Sequence, residues 1–168
     1  IKPIAFNAKK SDGFNPQLVI CDEMAAWSGD GGLKQYEVMK SALGARRQPM
    51  ILSISTAGYI NDSIYDELMK RATSFLKGNS KERRLLPFLY IIDDVEKWND
   101  ITELKKANPN MGVSVQEGFF KDEIAVAEGS LSKKAEFLTK YCNIKQNSSV
   151  AWLEYTLVDK ASEESTLE

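Results

Sequence analysis

The fold class is decided by the stretch Gln17-Leu18-Val19-Ile20-Cys21-Asp22-Glu23, in which a short apolar run leads directly into two carboxylates. The run is rich in β-branched residues and does not alternate with polar ones, which is typical of a strand buried in a parallel sheet. A carboxylate pair at the C-terminal end of such a strand lies where open α/β sheets bind their ligands. The stretch therefore predicts a parallel α/β fold with a candidate site at Asp22 and Glu23.

Further strands and helices alternate downstream. Three apolar runs predict the strands, and they cover residues 17–21, 50–55 and 88–92. Apolar residues recur at helical spacing over 33–43 and again over 65–76, where Asp62 or Ser63 can cap the second helix. The order strand, helix, strand, helix, strand implies right-handed crossovers and a parallel sheet.

Beyond Asp93 the pattern predicts helices alone. Their expected positions are residues 101–106, 116–128 and 132–141. The first of them must end before Asn108-Pro109, because proline disfavours helical geometry in the residue that precedes it. The sequence thus predicts three regions, namely part of a sheet domain over 1–92, a small helical subdomain over 93–142 and a polar linker over 143–168.

The composition excludes several classes of function. The 168 residues include no histidine, which rules out histidine acid–base chemistry and histidine-ligated zinc. The two cysteines, Cys21 and Cys142, lie far apart in apolar settings and do not indicate a disulfide scaffold or a thiolate metal site. A formal net charge of -2 argues against a dedicated nucleic-acid or membrane-surface module. No apolar run approaches membrane-spanning length, so we expect a cytoplasmic protein.

The carboxylates Asp22 and Glu23 are the leading candidates for chemistry. Adjacent carboxylates suit phosphoryl transfer, because one can stay ionised at a Mg²⁺ ion while the other handles a proton. Alternatively, the strand simply runs into a solvated loop and the acids are turn residues. The run over 88–92 also ends in a pair, Asp93-Asp94, and spacing alone does not choose between the two pairs. The second pair lacks a glutamate and no phosphate-sensing turn follows it, so we interpret it as a strand end.

Two further features accompany the first pair. A turn at Ser55-Thr56-Ala57-Gly58 closes the second strand, and a small hydroxyl residue there can reach a terminal phosphate or an attacking water. An ordinary strand-to-loop turn is the alternative. The guanidiniums of Arg46 and Arg47 lie at a helix end, where arginine can stabilise transferring phosphoryl charge in its own chain or in a neighbouring subunit of a ring. They can equally complement the helix dipole.

Six cations cluster around the end of the second predicted helix, namely Lys70, Arg71, Lys77, Lys81, Arg83 and Arg84. Such a stretch can contact DNA phosphates without reading sequence. It can equally be a solvated helix end, since Glu67 and Glu82 are interspersed.

Taken in order, these motifs resemble the large-subunit terminases of tailed bacteriophages, the ATP-driven motors that package DNA into the capsid. The resemblance covers nearly the whole chain. It rests on the segments 12–23, 36–38, 44–49, 55–59, 106–110 and 141–143. No single segment decides the matter, but the ordered set is specific.

The resemblance implies an α/β P-loop ATPase domain of the ASCE, or RecA-like, kind, followed by a helical lid that includes Trp98. In that family Asp22-Glu23 matches the Walker B pair, with Asp22 as the magnesium residue and Glu23 as the catalytic glutamate. Thr56 falls in the motif that couples hydrolysis to DNA movement. Arg46 matches a Gly-Ala-Arg position, and we nominate it as a finger that reaches the ATP of a neighbouring subunit.

The resemblance also implies partners and cofactors. The cofactors are ATP and Mg²⁺, and the partners are double-stranded viral DNA, a portal protein, a small terminase subunit and further copies in a ring, in the cytoplasm of a bacterial host. The sequence departs from the family pattern in lacking a Gly-x-x-x-x-Gly-Lys-Ser/Thr phosphate loop and the nuclease acids. We therefore expect a fragment that by itself neither binds ATP well nor cuts DNA.

Two other functions share parts of this pattern. A helicase-like P-loop motor would have the same carboxylate pair and Ser-Thr-Ala-Gly turn, but would carry arginine motifs in a second sheet where this sequence predicts helices. A non-catalytic interaction module is the third alternative. The motor interpretation requires that Asp22 and Glu23 lie beside the loop of Thr56, at one edge of the sheet.

Overall fold

A computed structural model describes residues 3–4, 13–59 and 61–146. The chain divides into two compact units, 1–88 and 89–168, and each has its own hydrophobic core. The first unit contains a strand, a helix, a second strand and a second helix, which are β1 Leu18–Cys21, α1 Gly29–Ala42, β2 Met50–Ser53 and α2 Ile64–Leu76. The second contains the helices α3 Ile101–Ala107, α4 Glu117–Glu128 and α5 Leu131–Lys140. The α/β architecture predicted for the first unit is present.

The two strands are parallel, and Leu18 is paired with Met50 and Cys21 with Ser53. One face of the sheet packs against α1 and α2 in a core that includes Cys21, Tyr36 and Ile64. The apolar side chains of the opposite face are 44 to 59% exposed, and they belong to Leu18, Ile20, Met50, Leu52 and Ile54. A parallel sheet is normally covered on both faces, but the described residues cover only one.

The prediction of a third strand over residues 88–92 is wrong. Within the described residues the sheet has two strands, and the backbone over 88–92 bonds to the second unit's own residues. The Tyr90 carbonyl accepts a hydrogen bond of 2.9 Å from Asn143 Nδ2, and the Ile92 N–H donates to the Cys142 carbonyl at 3.4 Å. An apolar run needs a strand partner to become a strand, and composition does not say which partner its backbone finds.

The helices of the first unit match their predictions except at one start. Helix α1 begins at Gly29 rather than at residue 33, so the stretch Gly29-Asp30-Gly31-Gly32 is helical. A Cβ on Gly32 would lie 2.9 Å from the Trp27 carbonyl oxygen, which shows that close packing requires glycine there. Helix α2 begins after Ser63 as predicted, with the Asp66 carboxylate accepting from the Ser63 N–H at 3.1 Å.

The second unit is helical as predicted. Helix α3 ends at Ala107, directly before Asn108-Pro109. The core is built around Leu104 and Phe120, and the rings of Trp98 and Phe137 meet edge to face with centroids 5.5 Å apart. Among the helices that the structure describes, none has the length and apolar character that a membrane crossing requires.

Candidate functional site

The loops that follow β1 and β2 lie side by side at the carboxyl edge of the sheet. The Ala25 N–H donates to Ser55 Oγ at 2.8 Å, and the Met24 N–H reaches the Ile54 carbonyl at 3.4 Å. Asp22 and Glu23 begin the first loop, and Thr56 lies in the second. The juxtaposition that the motor interpretation requires is therefore present.

A glycine allows the two loops to approach this closely. A Cβ on Gly58 would lie 2.9 Å from Ala25 Cβ and 3.2 Å from the Ala25 carbonyl oxygen. A side chain at position 58 would therefore push the loops apart. The glycine at position 58 therefore serves loop-to-loop packing.

The hydroxyls of Ser55 and Thr56 differ in their surroundings. Ser55 Oγ accepts from the Ala25 N–H and donates to the Thr56 carbonyl at 2.8 Å, so this hydroxyl is engaged in holding the loops. The Thr56 side chain belongs to an exposed residue. Of the two, Thr56 is therefore the one free to meet a phosphate or a water.

The loop after β1 presents its two carboxylates to solvent. Asp22 and Glu23 are both exposed, and Asp22 Oδ1 accepts from the Glu23 N–H at 3.0 Å. The indole Nε1 of Trp27 donates to the Asp22 carbonyl at 3.1 Å. This anchoring role of Trp27 was not predicted, because a lone tryptophan five residues after an acid carries no sequence signal for it.

Glu23 adopts a left-handed backbone, with φ 51° and ψ 46°. That conformation costs a non-glycine residue roughly 1–2 kcal/mol. Such strain persists where the surrounding structure imposes it, and it is concentrated at functional sites. The outlier motivates the hypothesis that the direction of the Glu23 side chain is functional.

The donors at this edge fit one kind of metal ion. Two adjacent exposed carboxylates suit Mg²⁺, which proteins usually hold through one or two carboxylates together with waters and substrate phosphates. Among the residues that the structure describes, no group of three or more aspartate, glutamate, cysteine or histidine side chains could hold a metal. Asp22 and Glu23 could therefore share a magnesium ion with a nucleotide, but they are not a complete protein cage.

The structure does not bring Arg46 to this site. Arg46 precedes β2, and its guanidinium donates from Nε at 3.2 Å and from Nη2 at 2.6 Å to the Asn15 carbonyl, which precedes β1. Both residues lie at the amino edge of the sheet. Four-residue strands, each residue rising about 3.3 Å, separate that edge from Asp22 by on the order of 13 Å. Within its own chain Arg46 is therefore placed away from the carboxylates.

The competing pair, Asp93-Asp94, is part of a structural turn. The Glu103 carboxylate accepts from the Asp93 N–H at 3.1 Å and from the Asp94 N–H at 3.4 Å, while Lys106 Nζ contacts Asp93 Oδ2 at 2.7 Å. The Lys106 ammonium, followed by the two backbone N–H groups, lowers the pKa of Glu103. The strand-end interpretation of this pair is wrong, because no strand precedes it, but its carboxylates do serve a turn.

These features define an α/β unit with a carboxylate pair and a hydroxyl turn on one edge of a parallel sheet. The family model described as "Terminase large subunit, ATPase domain" matches residues 1–74, and the model described as "Terminase large subunit, endonuclease domain" matches residues 81–166. The chain therefore belongs to the terminase large-subunit family.

Individual relatives are consistent with this assignment. Protein YmfN of Escherichia coli (strain K12) is 32% identical over 145 residues, which are 86% of this chain and 31% of that protein. The crystal structure of the HK97 bacteriophage large terminase is similar with a TM-score of 0.64 at 18% identity, over 79% of this chain and 26% of that one. At that identity the likeness concerns the fold. The chain spans about a third of the length of the curated relative that it matches.

The endonuclease-domain match covers the range in which the sequence pattern predicts a lid and a linker. Along the chain, the first compact unit ends at Phe88, four residues before the predicted boundary at 92. Residues 147–168 of the predicted linker lie outside the described residues. The division into 1–92, 93–142 and 143–168 remains a prediction.

Proposed function

We propose that this chain is part of an ATP-hydrolysing motor that moves double-stranded viral DNA into a capsid. The observation that carries the proposal is the contact between the two loops at the carboxyl edge, where Ser55 Oγ receives the Ala25 N–H at 2.8 Å. This hydrogen bond links the first loop, which carries Asp22 and Glu23, to the loop of Thr56. Membership of the family supports the nucleotide and DNA parts of the proposal.

In this proposal each residue of the edge has a distinct role. Asp22 is the carboxylate that holds Mg²⁺ together with the phosphates of ATP, and the ion would supply neutralisation of phosphate charge. Glu23 orients the attacking water and accepts its proton. Thr56 senses the terminal phosphate, and Ser55 keeps the two loops in register.

The proposal also includes an assembly. The motor is a ring of identical subunits that works in the bacterial cytoplasm with a portal protein and a small terminase subunit. The Gly-x-x-x-x-Gly-Lys-Ser/Thr phosphate loop of the family does not occur in residues 1–168. The 168 residues alone are therefore expected to hydrolyse no ATP.

The decisive experiment measures ATP turnover in a full-length protein that joins this chain to a phosphate-loop segment. Glu23→Gln removes the proton acceptor and keeps the shape, so we expect turnover to fall by about 10²–10⁴-fold. Glu67→Gln is the matched control, because Glu67 is an exposed glutamate on α2, and we expect it to retain turnover. Wild-type turnover by Glu23→Gln would exclude the proposed role.

The same assay tests Arg46 as a finger that acts on a neighbouring subunit. Its position at the opposite edge of the sheet motivates this role, because it cannot serve its own carboxylates from there. We expect Arg46→Ala subunits, mixed in increasing proportion with active ones, to depress turnover more steeply than simple dilution. A strictly proportional decline would show that Arg46 does not act in trans.

A further inference from the structure

We propose that five exposed cations, which lie between the middle of α2 and the loop after it, form a binding surface for the phosphate backbone of duplex DNA. This basic patch consists of Lys70, Lys77, Lys81, Arg83 and Arg84. The inference rests on the proposed function for the identity of the partner, and it adds the surface that would hold that partner.

The cations of the patch are available for an external anion. Glu82 is the acidic residue of the segment 77–84, and it is already held by Arg71 in a two-pronged ion pair of 3.1 and 2.7 Å. Among the described residues, no carboxylate forms an ion pair with any of the five patch cations. Ion pairs with the described residues of this unit therefore do not neutralise the positive charge of the patch.

The start of the loop has a defined conformation. Gly78 adopts φ 74° and closes α2, with its N–H donating to the Phe75 carbonyl and the Asn79 N–H donating to the Ser74 carbonyl, both at 2.9 Å. The Arg71–Glu82 pair then fastens the loop back onto the helix. A surface whose backbone is already ordered loses less entropy when it binds.

The charge distribution singles out this end of the helix. The acids of α2 lie in its first turn, at Asp66 and Glu67; Lys70 follows Glu67 by three residues, whereas Lys77 lies about 15 Å further along at 1.5 Å per residue. The helix dipole accounts for Lys77, which is the C-cap residue of α2. It does not account for Lys81, Arg83 and Arg84, because the effect of the dipole fades within the last turn. In a chain with a net charge of -2, such a concentration indicates an anionic partner.

The composition of the patch favours nucleic acid over an acidic protein. Three of its five cations are lysines, and lysine is depleted at protein–protein interfaces. Phosphate binding by counterion release needs only positive charge and accepts lysine and arginine alike. Duplex DNA is therefore the partner that these residues fit best.

The test measures binding of a fluorescently labelled DNA duplex by anisotropy over a range of salt concentrations. Each phosphate contact contributes about -0.9 to the slope of log affinity against log salt, so Arg83→Ala/Arg84→Ala should flatten the slope by about two units and weaken binding roughly tenfold or more. The matched control is Lys34→Ala/Lys121→Ala, which removes two exposed lysines outside the patch. It changes the net charge equally, and we expect a nearly unchanged slope.

Two additional arms separate the outcomes. The Arg83→Lys/Arg84→Lys variant keeps both positive charges, so its slope of log affinity against log salt should equal that of wild type. This result would show that the loss in the alanine variant comes from the removed charge and not from a folding defect. Polyglutamate serves as a probe for an acidic protein. If the alanine variant loses polyglutamate binding but keeps DNA binding, or if its slope matches that of the control, the proposal is overturned.

The failure of this inference is distinguishable from failure of the proposed function. In the full-length protein, ATP turnover without DNA should be unchanged by Arg83→Ala/Arg84→Ala, because the patch does not belong to the carboxyl edge. Loss of DNA binding with retained turnover supports the inference. Wild-type ATP turnover by Glu23→Gln would exclude the proposed catalytic role of Glu23, but it would not affect the conclusion about DNA binding by the basic patch.

Discussion

The hydroxyl of Ser55 shows how a single residue changes the interpretation of a motif. The sequence offered a small hydroxyl residue in the turn of residues 55–58 for reaching a phosphate, and Thr56 was the residue assigned to that role. The structure gives the Ser55 hydroxyl two partners, the Ala25 N–H and the Thr56 carbonyl. Hydrogen bonds of this kind contribute about 0.5–1.5 kcal/mol each, so Ser55 is better suited to holding the loops than to leaving them for a substrate.

A residue-scale prediction concerns Gly58, where the two loops meet. We expect Gly58→Ala to destabilise the chain by about 1–3 kcal/mol, because the new methyl group would lie 2.9 Å from Ala25 Cβ. Gly44→Ala is the matched control, since a Cβ there meets nothing within 4 Å, and it should be neutral or slightly stabilising. Urea unfolding of both variants measures the difference. Equal effects would mean that the loops are not packed as described.

At the scale of an element, α3 is tied to the turn before it by Glu103. This carboxylate accepts hydrogen bonds from the backbone N–H groups of Asp93 and Asp94 and from the Lys106 ammonium. Exposed ion pairs contribute little to stability, but Glu103 is a buried residue and its acceptor sites are occupied by main-chain donors. The pair Asp93-Asp94 thus owes its turn to a glutamate ten residues downstream.

The predicted consequence is a pH dependence of stability. Because the pKa of Glu103 is lowered in the folded chain, its contribution is complete above the ordinary glutamate pKa of about 4.3 and is lost as the pH falls through the lowered value. We expect Glu103→Gln to be less stable than wild type at neutral pH and to approach it under acid conditions. Glu96→Gln, at an exposed glutamate, should follow wild type throughout. Thermal unfolding measured across the pH range tests this prediction. A difference in stability between wild type and Glu103→Gln that does not change with pH would contradict the mechanism.

At the scale of the whole molecule, each compact unit has one cysteine in its core. Cys21 is 1% exposed in the first unit and Cys142 is 0% exposed in the second. Burial raises the pKa of Cys21 to about 11 and that of Cys142 to about 12. Both thiols are therefore protonated and shielded at neutral pH, and neither has the environment of a reactive cysteine.

This arrangement predicts that thiol labelling reports on the units separately. The Cys142→Ala variant keeps only the thiol of Cys21, in the first unit. The Cys21→Ala variant keeps only the thiol of Cys142, in the second unit. We expect each native thiol to react at least about 100-fold more slowly than in concentrated guanidinium, because the protecting core must open first. Labelling of either native thiol at the unfolded rate would show that its core is not formed.

Local interactions determined much of the structure from the sequence alone. The apolar stripe of α2, its start after Ser63 and its end near Gly78 follow from side chains and caps within the helix itself. The end of α3 before Asn108-Pro109 follows from proline sterics. The placement of Asp22 and Glu23 beside the Thr56 loop was also predicted from the sequence, although it depends on the non-local pairing of two parallel strands that end at the same edge.

Tertiary contacts decided the rest. Residues 88–92 have the composition of a strand, but their backbone groups find partners at Cys142 and Asn143. The same holds for Gly32, which packs against Trp27, and for Arg46, which is held by the Asn15 carbonyl. In each case the outcome depends on which group of the folded chain comes within hydrogen-bonding or van der Waals distance, and no simple pattern in the sequence encodes that choice.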